Sequence, residues 1–149
     1  MTTQSIQEYF NSTVQKVLSE IGCTMNIDIT MIDFDSIKEL PKKTKNQAIG
    51  ICWQNEFGQH RINIDEFFVE ECYKYFVLDS KISTWELCDG ETLEHVICHE
   101  LAHTQVWNHT KKHTNLTNEL LSKVTLPKKY HEYMEKQIAK MMQEGSNLI

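Results

Sequence analysis

His99-Glu100-Leu101-Ala102-His103 is the stretch from which the rest of the chain is read. It has the form H-E-x-x-H. Around it Leu93, Val96, Ile97, Leu101 and Ala102 recur at helical spacing, which predicts a helix with one apolar face buried and the polar residues together on another. Histidines four apart on a helix stand one above the other, with Cβ atoms about 5–6 Å apart. Two imidazoles so placed can share one Zn²⁺ through Zn–N bonds of about 2.0–2.1 Å. Glu100 lies one residue round the helix, where its carboxylate can act on water without being a ligand. Zinc lowers the pKa of a bound water towards about 7, and a neighbouring carboxylate can take its proton. The motif therefore predicts metal-assisted hydrolysis of a peptide bond, with Glu100 as general base.

Length and composition are compatible with this. A chain of 149 residues, 40% hydrophobic and 24% charged, suits a single domain, 1–149, with a proper core. The net charge of −6 argues against tight nucleic-acid or anionic-membrane binding, so weak or no DNA binding is expected. No run approaches the roughly 18 apolar residues of a membrane span, and Met1 to Ser5 shows no secretory signal. Five cysteines, an odd number with no C-x-x-C pair, point to a reducing, cytoplasmic compartment rather than to a disulfide framework. Cys98 points about 100° away from His99 on a helix and reads as core.

The remaining elements follow in order. Residues 5–21 are predicted as an amphipathic helix, opened by a Ser5–Glu8 capping box and stopped by Gly22. Alternation over 26–32 predicts a half-buried strand, and 33–47 a polar loop carrying Lys42, Lys43 and Lys45. Two short strands, 48–53 and 61–64, flank a hairpin loop at 55–59. A helix over 66–78 is expected to bury Phe67, Phe68, Cys72, Tyr75, Phe76 and Leu78. A connector over 81–90 ends at Asp89, the expected cap of a motif helix running to about Asn108. The next stretch, 108–115, reads as irregular, followed by helices over 116–126 and 128–143, with Pro127 between them and Gly145 as the last stop. The fold class predicted is α+β: a small meander β-sheet packed against the motif helix, with additional helices.

A catalytic zinc needs three protein ligands and an open position. Beyond His99 and His103, three residues compete for the third place. His109, six after His103, has metzincin spacing, but Val106 stands where that pattern turns on a glycine. Glu119, in Asn118-Glu119-Leu120-Leu121-Ser122, is similar to the N-E-x-x-S segment of gluzincins at a shorter spacing. His113, ten after His103, could return to the metal after a longer excursion.

That last arrangement resembles the SprT-like metalloproteases, the family that includes the Spartan-type DNA–protein crosslink proteases. Ala48 to Cys52 followed by Arg61 to Ile64 looks like that family's short strands, and Leu93 to His103 with His113 resembles its core. Thr114 and Thr117 stand where the family often has a glycine and an aromatic residue, and its zinc ribbon is absent. The resemblance implies a minimal zinc metallopeptidase domain, with His99, His103 and His113 as metal ligands, Glu100 as catalytic base, and a protein or peptide as substrate. The alternative expectation is a non-catalytic zinc-binding interaction module.

Overall fold

The computed structural model describes residues 2–36, 49–87 and 90–147. In chain order these form α1 (Thr2–Ile21), β1 (Asp28–Ile32), β2 (Gly50–Gln54), β3 (His60–Asp65), α2 (Glu66–Phe76), α3 (Leu93–His103), α4 (Lys111–Leu121) and α5 (Lys128–Asn147). Short 3-10 turns lie at Phe34–Ser36 and Trp85–Leu87. The fold is α+β. The lysine loop, including Lys42, Lys43 and Lys45, falls outside the described residues, as do Ala48, Cys88 and Asp89.

The sheet has the order β1-β3-β2, with β1 parallel and β2 antiparallel to β3. It is therefore mixed, and the expected simple meander is corrected. The hairpin at Asn55–Gln59, closed by Asn55 N–H on Gln59 O at 2.9 Å, pairs β2 with β3. The other edge of β3 is left for β1, and the segment between β1 and β2 is long enough to cross over.

Ile62 and Ile64 of β3, both fully buried, face the helices. They meet Phe10 and Val17 of α1, Phe68, Val69 and Cys72 of α2, and Leu93, Val96, Ile97, Cys98 and Leu101 of α3 in one core. The motif helix thus lies in the centre of the molecule, as its apolar face predicted. Phe67 and Leu78, expected inside, are exposed, and Val69 takes up the buried face of α2 instead.

Two of three expected boundaries differ. Ser5 lies inside α1, so the Ser5–Glu8 pair does not open that helix. Gly22, with φ +69°, does end it, donating to Ser19 O while Cys23 N–H reaches Leu18 O. α5 continues through Gly145 to Asn147 rather than stopping there. Among the described residues, no helix is long and apolar enough to cross a membrane.

Candidate metal centre

The motif helix α3 opens at Thr92, whose hydroxyl accepts a hydrogen bond from His95 N–H at 3.0 Å. It closes at His103, five residues short of the expected end. The closure uses no left-handed residue. Thr104 N–H reaches Leu101 O at 3.1 Å, Val106 N–H reaches Ala102 O at 2.9 Å, and the Thr104 hydroxyl donates to Leu101 O at 2.7 Å. These bonds satisfy carbonyls that a helix end otherwise leaves unpaired. The reasoning that a sharp turn needs a glycine at Val106 fails for this reason. Among the described residues outside glycine, only Asp79 has a positive φ.

The early turn brings His109 back to the motif. Its Nε2 lies 3.1 Å from His103 Nε2 and 3.3 Å from His99 Nε2. Three nitrogens held about 2.0–2.1 Å from a tetrahedral ion would be about 3.3–3.4 Å apart, so this spacing suits a shared cation. The ligand nitrogens of His99, His103 and His109 all lie within 4.8 Å of one another, and the three could hold a metal ion. Their protonation suits it too. His103 Nδ1–H donates to Val106 O at 3.1 Å, which leaves Nε2 with its lone pair. Burial foremost, then the neighbouring imidazoles, pushes His99 down to about 4, so it is neutral near pH 7.

His113, named from sequence as the third ligand, sits differently. It is 2% exposed in the first turn of α4, which is capped by Thr110 and starts at Lys111, not near 116. Its Nε2–H donates to His99 O at 3.0 Å, so that nitrogen is engaged with the backbone of the motif helix. Its ring stacks on His103 with centroids 4.0 Å apart and 20° between planes. The geometry thus gathers His109 with the motif pair and puts His113 behind them. Glu119 points to solvent from α4, away from the cluster.

Glu100 is 5% exposed. Its Oε2 is 3.9 Å from His99 Nε2, and among the described residues no hydrogen bond reaches its carboxylate. Burial, helped by the charge of Glu91, pushes its carboxyl up to about 8. The side chain is roofed by β2. A Cβ built on Gly50 would fall 2.9 Å from Glu100 Oε2 and 3.0 Å from Val96 Cγ1. Glycine therefore lets this strand lie directly on the motif helix. Gly50 is the contributor that sequence reading missed, since a glycine in a short strand signals close approach without naming what approaches.

Cys98, beside His99 in sequence, is fully buried in the core. Burial, with the charge of Glu94, pushes its thiol up to about 12, so it stays protonated, as a core residue should. Comparison of the chain with protein-family models, with curated proteins and with solved structures finds no match. The site is therefore read from its own chemistry.

Proposed function

We propose that the chain is a zinc-dependent metallopeptidase whose third ligand is His109, at the metzincin spacing from the motif. The observation that supports this is the convergence of three imidazole Nε2 atoms beside a buried glutamate that no cation among the described residues neutralises. His99, His103 and His109 would hold the ion, leaving a fourth position open. When bound, zinc supplies a Lewis acid that acidifies water and polarises a carbonyl. Glu100, ionised once a bound cation offsets the burial that raises its carboxyl, would take a proton from the attacking water and pass it to the leaving amine. Its burial keeps competing solvent away from that proton. β2, an edge strand among the described residues, runs over Glu100 and offers its free edge to an extended peptide. The acidic net charge suits a protein or peptide substrate with weak or no DNA binding.

One observation favours a second reading. All four histidine rings, His113 included, lie with centroids 4.0–5.4 Å apart. Four imidazoles on one zinc would close the site and make it structural, the centre of an interaction module.

Metal content decides between the two. Protein purified without chelator is expected to carry about one zinc per chain. His109→Ala should lose most of it, and His113→Ala should keep it. Loss of zinc from His113→Ala alone would return the third-ligand role to His113. Loss from both, with no peptide hydrolysis by the parent chain, would favour the closed module. No zinc in any form, and no thermal shift on adding it, would defeat both readings.

A further inference from the structure

The strands of the sheet alternate, so the face opposite Ile62 and Ile64 is made of different residues. Across it run two rows in register: Asp28, Arg61 and Trp53, then Thr30, Asn63 and Ile51. A cavity of about 480 Å³ opens on this face, lined by the first row, by Asn63, Asn26 and His60, and by the hairpin amides of Gln54, Asn55 and Gln59. That volume is in the range of small-molecule sites.

Asn63 is an odd occupant of a central strand, since asparagine disfavours strands and its position is 5% exposed. Its amide has a defined task. Oδ1 accepts from the Trp53 indole N–H, and Nδ2 donates to Thr30 Oγ1 at 2.7 Å. The indole is thereby locked across the strands with its polar edge satisfied, and Trp53 is 39% exposed. What Trp53 offers the cavity is an apolar aromatic face in a fixed orientation. The rim is also preorganised. Asn55 Nδ2 donates to Gln59 Oε1 at 2.9 Å, and Gln54 Nε2 donates to Gly58 O at 3.3 Å. Gln59 Nε2 and Gln54 Oε1 make no hydrogen bond among the described residues and retain their capacity.

Charge narrows the ligand. Arg61 Nε lies 3.4 Å from Asp28 Oδ2, so the cavity's guanidinium sits beside a carboxylate that offsets its charge. A phosphate or other anion would meet Asp28. A purely apolar ligand would strand the amides. A sugar ring satisfies both walls: its C–H face covers an indole, and its hydroxyls donate to a carboxylate and exchange hydrogen bonds with amides. We propose that this face carries a second binding site, for a neutral saccharide stacked on Trp53. It shares no residue with the histidine cluster and stands whether or not the chain is a peptidase.

The test is a ¹H–¹⁵N NMR titration of the full chain with chitotriose, maltotriose and cellotriose separately, and with AMP as the anionic aromatic control. At least one oligosaccharide is expected to shift the Trp53 indole resonance saturably at millimolar concentration, leaving those of Trp85 and Trp107 in place. Trp53→Ala should abolish the binding. Should that variant fail to fold, Gln59→Ala, at the exposed rim, should weaken binding about tenfold. The proposal is overturned if none of the three sugars gives a saturable shift, if the binding survives in a folded Trp53→Ala or is unchanged in Gln59→Ala, or if AMP alone binds at Trp53.

Discussion

Two glutamates six residues apart on α3 are both buried, Glu94 at 3% and Glu100 at 5% exposure, yet their surroundings are opposite. Glu94 is held by Lys16 of α1, whose Nζ lies 2.6 Å from Oε2 and also donates to Thr125 O at 2.9 Å. That lysine ties three parts of the chain together at the start of the motif helix. Among the described residues Glu100 has no such cation. Its ion-pair partner among the described residues is the His99 ring at 3.9 Å, and burial raises its carboxyl to about 8. A buried carboxylate with a dedicated lysine holds a fold together. One without, beside converging imidazole nitrogens, is a cost that folding alone does not explain. On the proposed reading, the same helix is structural at its beginning and chemical at its end.

The largest effect should separate these two carboxylates. Glu100→Gln keeps the shape and removes the base, so peptide hydrolysis should fall about 10²–10⁴-fold with zinc content unchanged. Glu94→Gln should leave turnover per folded, metal-loaded molecule nearly intact. Steady-state kinetics with metal analysis on both variants measures this. Equal losses of activity would mean that the two ends of the helix are not functionally distinct.

Gly50→Ala probes the roof over Glu100 alone. The added Cβ would meet Oε2 at 2.9 Å and Cγ at 3.0 Å, and the far end of the glutamate can swing aside more cheaply than the strand. Activity should therefore drop about 10–100-fold through misplacement of the carboxylate. Stability should fall by only about 1 kcal/mol. An inverse pattern, large destabilisation with normal turnover of what remains folded, would assign Gly50 to packing.

Much of this was legible beforehand, for a physical reason. Leu93, Val96, Ile97, Leu101 and Ala102 were expected inside from helical periodicity, and all are buried. Periodicity reports which face meets the core, and here it identified the helix that centres the fold. It is silent on how a helix ends. The turn after His103 depends on hydrogen bonds from Thr104 and Val106 to specific carbonyls, and these two residue types carry no strong stop signal. From that one boundary followed the displacement of His109 and the early start of α4. Trp85 was missed in another way. It is fully buried, donates to Glu91 O at 2.7 Å, stacks on Tyr75 and meets Tyr133 edge-to-face. Yet it stands alone in a polar connector, where no repeat marks it. The order β1-β3-β2 was likewise invisible, because alternation along a strand gives its faces and not its neighbours.

At the structural end of the helix, Lys16→Met should leave Glu94 buried without its cation. A hydrogen bond to a charged group contributes about 1.5–3 kcal/mol. Lys16 is 37% exposed, and solvent screens part of the interaction, so the loss should lie near the lower figure. Urea unfolding would show a lower midpoint with an unchanged slope. Zinc stoichiometry should not move. If it does, the two ends are coupled through the helix.

The smallest effect tests that independence most finely. Thr92 caps α3 with its hydroxyl on His95 N–H and is 1% exposed, so Thr92→Ala leaves one helix-end donor unsatisfied in a buried place. Replacing a threonine cap by alanine costs about 1 kcal/mol. Thr92→Ser keeps the hydroxyl and should recover most of it, which distinguishes the cap from the lost methyl group. The cap is more than two helical turns from His103, and the carbonyls at the far end are held by Thr104 and Val106 whatever happens at the start. Fraying should therefore stay within the first turn. Metal affinity and turnover of Thr92→Ala should match the parent chain while its unfolding midpoint drops. A fall in zinc affinity matching the fall in stability would mean that the cap sets the position of His99, and the division between a structural and a chemical end would have to be given up.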